Sequence, residues 1–344
     1  MPEVAIVGVA AVFPGAPDAD AFWTNITRGV DAIAPVPASR LDPLLARDFA
    51  CNRGGFIAPT FDPVAFGIMP RAAEAVEPDQ LLALAVAKAA LDDTLAPIAR
   101  EKTGVIVGRG GYLTPGMARL VDRVRTAPQL AVTLRELLPD LDAETVDKIR
   151  AAFAARAGNA LADGAIGLVP NLAASRIANR LDLRGPAYTI DAACASSLVA
   201  IDHGVRDLES GRCDAVVAGG VHVCHDVTFW SVFEQLGALS KSSRIRPFDR
   251  AADGILIGEG CGLVVLKRLA DAERAGDRVY AVIRGTGVSS DGRESSAMRP
   301  RADGQVAAVE AAWRGLDPAS VGLVEAHGTA TPTGDEVELE TLAR

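Results

Sequence analysis

Aromatic side chains and histidines are scarce in this 344-residue chain. Phe, Tyr and Trp together make up 5% of it, and there are four histidines: His203, His222, His225 and His327. The apolar content, 49% of residues, consists largely of Ala, Val and Leu instead. Small aliphatic residues favour tightly packed helices on buried sheets over a loop-rich binding module.

The chain also lacks an excess of positive charge and long apolar runs. The formal net charge is −9, which argues against a nucleic-acid-binding role but still allows a local basic patch. No apolar run reaches the roughly 18–20 residues that a membrane-spanning helix needs. The apolar start at 4–13 follows Glu3 rather than a basic segment, so it predicts a buried strand and not a signal peptide. We therefore expect a cytoplasmic protein with no nucleic-acid partner and no membrane segment.

Cysteines are few, and their number is odd. The five thiols have no disulfide-framework spacing, which predicts reduced cysteines in a cytoplasmic protein. They are Cys51, Cys194, Cys213, Cys224 and Cys261.

Strand-like and helical stretches alternate along the chain, which predicts an α/β fold of layered helices and sheets. Strands are predicted at 4–7, 102–107, 186–191, 214–218, 262–267, 280–285 and 321–325, and helices at 80–92, 195–209 and 302–314. The strand–helix–strand order returns after residue 280, which indicates two duplicated halves in one domain. The first half covers about 1–268 and the second about 279–344. Little sequence follows Gly328, so we expect the second half to be incomplete.

Residues 112–164 are predicted to be an insertion in the first half. They include charged helical segments such as 145–156, near Pro128 and Pro139. We interpret this insertion as a pair of solvated surface helices. The alternative is a contact with a partner or a second copy of the chain.

Cys194 is the candidate nucleophile. It lies between the predicted strand 186–191 and an apolar helix, in the small-residue sequence Asp-Ala-Ala-Cys-Ala-Ser-Ser. A thiol at a helix N-terminus is favoured as the reactive thiolate, and nearby backbone N–H groups can stabilise an oxyanion. The alternative is a buried structural cysteine, which is how we interpret the other four cysteines.

His327 is the candidate catalytic histidine. It directly follows a predicted buried strand and opens a loop of small hydroxyl and glycine residues, where α/β folds build their sites. An imidazole there can donate a hydrogen bond or move a proton, although a structural loop histidine is the alternative. His222, Cys224 and His225 do not form a convincing metal site, because a structural zinc needs four converging ligands. His203 is expected to be a packing or surface residue.

With these residues in place, the whole chain resembles the β-ketoacyl synthase domains of type I polyketide and fatty acid synthases. The resemblance rests on several motifs in the expected order: Val4-Ala5-Ile6-Val7-Gly8, Phe13-Pro14-Gly15, Asn179-Arg180-Leu181, the Cys194 motif, Arg246-Pro247-Phe248-Asp249, Gly258-Glu259-Gly260 and the His327 motif.

The resemblance implies a thiolase-like αβαβα fold of two duplicated halves and a homodimer. It implies an acyltransferase in which Cys194 takes an acyl group from an acyl carrier protein or coenzyme A thioester. A malonyl-type unit then decarboxylates and condenses with it, while His327 stabilises the carbanion or enolate. Thr329 and Thr331 match the threonines that contact the phosphopantetheine arm of the carrier. The domain itself would bind no cofactor and no metal, and further synthase domains are possible partners.

The chain also departs from the family pattern. Ala192, Ala195 and Ala330 replace residues common in relatives, which is a mild change. The family's second catalytic histidine and a glycine–phenylalanine loop would lie beyond Arg344, so Glu338 is expected to have lost its neighbours. We therefore expect this chain to be impaired in condensation. The alternative is a non-catalytic carrier-binding or dimerisation protein, although Cys194 and His327 would then have no chemical purpose.

Overall fold

The computed structural model describes residues 3–38, 49, 51–158, 162–223, 227–293 and 299–344. The strands are β1 (Val4–Val12), β2 (Ala34–Pro35), β3 (Arg53–Gly55), β4 (Thr103–Gly108), β5 (Ala187–Ile190), β6 (Ala215–His222), β7 (Ile257–Gly258), β8 (Gly260–Arg268) and β9 (Ala281–Ile283). The helices are α1 (Ala19–Arg28), α2 (Pro70–Ala73), α3 (Pro78–Asp92), α4 (Pro115–Val121), α5 (Ala127–Leu137), α6 (Ala143–Arg156), α7 (Ala162–Gly167), α8 (Leu172–Leu181), α9 (Ser196–Glu209), α10 (Val227–Gln235), α11 (Leu269–Ala275), α12 (Ala302–Ala312) and α13 (Pro332–Ala343).

The main sheet has the strand order β5-β4-β6-β8-β1-β9. β5, β4 and β6 run parallel, whereas β8, β1 and β9 join in antiparallel pairings. The carboxyl ends of three parallel neighbours therefore meet at one edge, which is where α/β folds place their sites. The small sheet β2-β3-β7 lies apart from it.

Helices cover the main sheet on both faces. α3 and α8 pack on one face and α9 packs on the other. Because neighbouring strand residues point to opposite faces, Val105 belongs to the core under α3, while Ile106 belongs to the core under α9. α3 begins at Pro78, where the missing N–H of proline removes no helical hydrogen bond.

The predicted insertion contains a helical pair in its described part. α5 packs against α6, with Ala131 and Val146 buried between them. Arg135 and Asp147 form an exposed ion pair across the two helices. This arrangement agrees with the surface-pair interpretation, and the insertion's role in partner contact stays a prediction.

The second half is realised only in part as predicted. β9 pairs with β1 and α12 packs on α13, close to the predicted strand and helix. The strand predicted at 321–325 is wrong, because no described strand pairs with this segment. Val321 donates its N–H back to the carbonyl of Pro318, and Leu323 is 85% exposed. An apolar run without a ladder partner does not form a strand.

Candidate active site

Cys194 lies on a sharp turn between β5 and α9. Ala193 before it adopts a left-handed conformation with φ 49°, uncommon for a residue with a side chain. Ser196 fixes the turn, because its Oγ accepts from the Ala192 N–H at 2.9 Å and donates to the Ala193 carbonyl at 2.6 Å. The turn leaves the Cys194 side chain exposed at the start of a helix. This is the strand–nucleophile–helix geometry that the sequence predicted.

Asp191 ties this turn to the loop that follows β4. Its Oδ1 accepts from the N–H of Ala193 at 3.0 Å, and its Oδ2 accepts from the N–H of Gly111 at 2.8 Å. One carboxylate therefore holds together the ends of two parallel strands next to Cys194.

Two glycines let α9 approach the sheet closely. A Cβ at Gly108, the last residue of β4, would lie 2.6 Å from the Ser196 carbonyl carbon. A Cβ at Gly220 in β6 would lie 2.9 Å from the Ser197 Cβ. The N-terminus of α9, and with it Cys194, can take its position only because these strand positions carry no side chain.

His327 lies close enough to Cys194 for the two side chains to shift each other's pKa, and their catalytic roles stay a prediction. The hydrogen bond between the His327 imidazole and the Cys194 thiol lowers the pKa of the thiol, although burial acts in the opposite direction. The same hydrogen bond raises the pKa of His327, again against burial, and the negative charge of Glu338 adds to this effect. A thiol whose pKa falls next to an imidazole whose pKa rises is suited to form a thiolate–imidazolium pair.

The loop that carries His327 is held by two carboxylates of α13. Glu338 accepts from the backbone N–H of His327 at 2.6 Å and from that of Gly328 at 2.9 Å. The buried Asp335 accepts from the N–H groups of Ala330 at 3.0 Å and Phe248 at 2.6 Å. The Glu338 carboxylate thus has backbone donors close in sequence, and the expectation that it lacks neighbours from beyond Arg344 stays a prediction.

Thr329 and Thr331 lie on the same loop. Their hydroxyl groups are 2.8 Å apart and are hydrogen-bonded to each other. A Cβ at Gly334 would lie 2.5 Å from the Thr331 Oγ1, so this glycine makes room for the pair. Both threonines are partly exposed, and their role in substrate binding stays a prediction.

A cavity of about 560 Å³ opens next to Cys194. It lies at the carboxyl ends of β4, β5 and β6, and Cys194 is part of its wall. Aromatic rings form another part: Tyr112 meets Phe229 edge-on at 4.6 Å between centroids, and Phe229 meets Phe233 at 4.9 Å. The space suits an acyl chain attached to the Cys194 sulfur.

The other cysteines and histidines considered in the sequence analysis do not share the surroundings of Cys194. Cys51, Cys213 and Cys261 are buried, and burial raises the pKa of Cys213 to about 11. His203 lies 3.3 Å from the hydroxyl of Tyr188, as a packing residue would. Cys224 and His225 lie outside the described residues, and the described part of the chain offers no cluster of metal-ligating side chains.

Sequence reasoning missed Arg109, Asp79 and Tyr112. Arg109 directly follows β4 and lines the cavity beside Tyr112. Asp79 lies in the first turn of α3 and pairs with Arg109 at 2.5 Å. The sequence did contain one signal for this pair, because Arg109 is a charged residue directly after a buried strand.

Comparison with known proteins decides the family. A family model described as the β-ketoacyl synthase N-terminal domain matches residues 1–272, and the C-terminal domain model matches 280–344. The chain belongs to the β-ketoacyl synthase family.

Its relatives are polyketide synthases. The chain is 34% identical to polyketide synthase PksN of Bacillus subtilis, with 98% of the chain and 6% of that protein covered. It is 36% identical to one component of the phenolphthiocerol/phthiocerol polyketide synthase of Mycobacterium tuberculosis, with 99% of the chain and 21% of that protein covered. The ketosynthase resemblance inferred from the motifs is thereby confirmed.

A solved ketosynthase shares the fold. The oxazolomycin ketosynthase domain OzmH KS7 of Streptomyces albus superposes with a TM-score of 0.82 at 31% identity, over 100% of this chain and 56% of that one. This confirms the thiolase-like fold. The chain thus spans little more than half of a matched ketosynthase structure. Within the described residues, no helix is both long enough and apolar enough to cross a membrane.

Proposed function

We propose that this β-ketoacyl synthase accepts acyl groups on Cys194 and uses them in decarboxylative condensation for polyketide or fatty acid biosynthesis. The observation that carries the proposal is the position of Cys194 at the start of a helix, on the wall of a chain-sized cavity and close enough to His327 for the imidazole to lower the pKa of the thiol. A nucleophile, a proton acceptor and an acyl pocket meet at one point.

Acyl transfer follows from these parts. The Cys194 sulfur attacks the carbonyl carbon of an acyl thioester, and His327 holds the proton that the thiol gives up. A C–S bond forms to Cys194, the C–S bond to the donor breaks, and the leaving thiolate takes the proton from His327. The N-terminus of α9 favours the negative charge at the sulfur before attack.

Condensation is the second step that we propose for the family site. A malonyl-type thioester loses carbon dioxide, and the electron pair forms an enolate that His327 stabilises by donating a hydrogen bond to its oxygen. The enolate carbon attacks the acyl carbonyl on Cys194. A C–C bond forms, and the Cys194 thiolate leaves.

An acyl carrier protein is the proposed donor of both units. Its phosphopantetheine arm would reach Cys194 past Thr329 and Thr331, whose paired hydroxyls can bind the arm's amides. We also propose a homodimer as the working form and further synthase domains as partners, because the chain covers only a small part of each polyketide synthase that it resembles.

A non-catalytic carrier-binding or dimerisation protein is the second candidate. It would account for a ketosynthase-like surface but would have no need of a low thiol pKa. Whether Cys194 reacts with an acyl thioester distinguishes the catalytic from the non-catalytic candidate.

The test loads an acyl group onto the phosphopantetheine arm of an acyl carrier protein and follows its transfer to the chain by mass spectrometry. We expect an adduct on Cys194, and slower transfer in a Thr329→Val/Thr331→Val variant. Thr27→Val, on the exposed face of α1, is the control and should match the wild type. A folded chain that takes no acyl group from carrier or small thioester would support the non-catalytic candidate.

A further inference from the structure

A charged pair lies at the edge of the 560 Å³ cavity beside Cys194, called the acyl cavity below, and only its arginine lines that cavity. Arg109 is 7% exposed and Asp79 is 8% exposed, and the Arg109 Nε donates to the Asp79 Oδ2 at 2.5 Å. Arg109 lines the acyl cavity and also a small cavity of about 30 Å³ that Asp79 and His222 line. The two cavities share Arg109, Gly110, Tyr112, Val221, His222 and Phe229. The acyl cavity is thus polar at one end, although aromatic rings form much of its wall.

The pair leaves hydrogen-bonding groups unused. A guanidinium has five N–H donors, and in the described part of the chain the Arg109 side chain donates only through Nε. The Oδ1 of Asp79 is buried and has no partner among the described residues. Buried polar atoms in native proteins are nearly always satisfied, and a buried ion pair is stabilising only when its remaining atoms are bonded. The unused donors of Arg109 and the unused Oδ1 of Asp79 therefore offer hydrogen bonds to a ligand group.

The charges also restrict what can bind. Asp79 neutralises Arg109, and a second buried carboxylate lies nearby in Glu77, whose pKa is raised by burial and by the charge of Asp79. A ligand carboxylate placed here would therefore meet no net positive charge. A neutral group that both accepts and donates fits better, because it can accept from an Arg109 N–H and donate to the Asp79 Oδ1.

From this arrangement we propose that Arg109 and Asp79 form a specificity subsite for a hydroxyl group on the acyl chain carried by Cys194. The inference rests on the proposed acyl transfer and deepens it. The preferred substrates are hydroxylated acyl chains, ahead of unsubstituted alkyl chains and of chains that end in a carboxylate. A site that hydrogen-bonds a substrate hydroxyl discriminates against the analogue without it, since the buried partners are then left unpaired.

The experiment compares acylation rates of Cys194 by N-acetylcysteamine thioesters of matched length. The set contains octanoyl, octanoyl hydroxylated near the carbonyl, at mid-chain or near the end, and an eight-carbon chain with a terminal carboxylate. We expect one hydroxylated position to react about ten-fold faster than octanoyl, the factor that one well-made hydrogen bond gives. The carboxylated chain should be slower than octanoyl.

Variants assign the preference to the pair. Arg109→Met combined with Asp79→Leu replaces both charges by apolar groups and should bring the ratio of hydroxyacyl to octanoyl rates to about one. Arg109→Lys keeps a donor and should keep part of the preference. Arg135→Met on α5 removes an exposed arginine and should leave the ratio as in the wild type.

The outcomes separate the two proposals. Equal rates for all chains, or fastest acylation by octanoyl, would overturn the subsite and leave the acyl transfer in place. If no thioester acylated the chain, both the proposed acyl transfer and the subsite that rests on it would be overturned. A hydroxyl preference that persists in a folded Arg109→Met/Asp79→Leu chain would also overturn the subsite, and Arg109→Lys keeps the assignment testable if the double variant does not fold.

Discussion

The Glu338 carboxylate receives the backbone N–H of His327 at 2.6 Å, while its second oxygen receives that of Gly328 at 2.9 Å. Glu338 lies one helical turn after Asp335, which holds Ala330 in the same loop. α13 therefore clamps the loop at two points, so the imidazole is held beside Cys194 by a helix rather than by the loop alone.

Glu338 is expected to act as a positioning residue. Glu338→Ala removes both acceptors, so the His327 loop should loosen and acylation of Cys194 should fall by about ten-fold or more, because misplaced catalytic groups lose rate steeply. Glu338→Gln keeps one acceptor oxygen, so its acylation rate should lie between those of the wild type and Glu338→Ala. The measurement is the acylation rate by intact mass, with the fold followed by circular dichroism.

Glu340 provides the control on the same helix. It pairs with Arg344 on the surface, so Glu340→Gln should acylate like the wild type. If Glu338→Ala matched this control, the clamp would have no part in the reaction.

The pH dependence of Cys194 follows from its pairing with His327. The hydrogen bond to His327 lowers the pKa of the thiol, so the thiolate should persist at pH values below the thiol's ordinary range near 9.0. In His327→Ala this cause is gone, and the alkylation rate of Cys194 by iodoacetamide should rise only at higher pH. Acylation at neutral pH should fall roughly 100-fold, a typical contribution of a positioned acid or base. Superposed alkylation profiles for the two proteins would contradict the pairing.

Gly108 should tolerate no side chain. A Cβ there would lie 2.6 Å from the Ser196 backbone, so Gly108→Ala must push away the N-terminus of α9. We expect a loss of about 1–3 kcal/mol in the free energy of unfolding, the usual cost of overpacking, together with slower acylation. Gly258→Ala is the matched control, since a Cβ at Gly258 would meet nothing within 4 Å. Chemical denaturation measures both, and equal stabilities would show that the close approach carries no strain.

Replacement by glycine should change the free energy of unfolding in opposite directions at Ala193 and at an alanine inside a helix. Its φ of 49° strains a residue with a Cβ, so Ala193→Gly should raise the free energy of unfolding by about 1 kcal/mol. Ala200→Gly, in the buried middle of α9, should lower it by about 1 kcal/mol or more. Changes of the same sign at both positions would mean that the elbow is not strained.

Local patterns predicted much of the fold and the core of the site. Cys194 could be found because small residues between a strand and a helix are a local signal, and its setting depends on neighbours in sequence. The predicted starts of β1, β4, β6 and β8 lie within about two residues of the observed starts, because buried strands carry continuous apolar runs. β1 and β6 extend further than predicted, to Val12 and His222. The segment 321–325 carries a similar apolar run, but a strand also requires a pairing partner, which the sequence does not reveal.

The rest depends on contacts between distant segments. The pairing of Arg109 with Asp79 joins the end of β4 to the start of α3, and no spacing rule connects the two. The contacts of Glu338 could not be predicted for a different reason. Its partners are backbone N–H groups, which leave no residue-type signal in the sequence.

Incubation of the chain with a simple acyl thioester, read by intact mass and peptide mapping, tests the central claim most directly. Cys194→Ala is the control, and Cys213→Ala is its matched counterpart, because burial raises the pKa of that thiol to about 11. We predict a single acyl adduct on Cys194, lost in Cys194→Ala and retained in Cys213→Ala. A folded chain that stays unmodified, or one acylated equally in Cys194→Ala, would contradict the assignment of Cys194 as the acyl-accepting nucleophile.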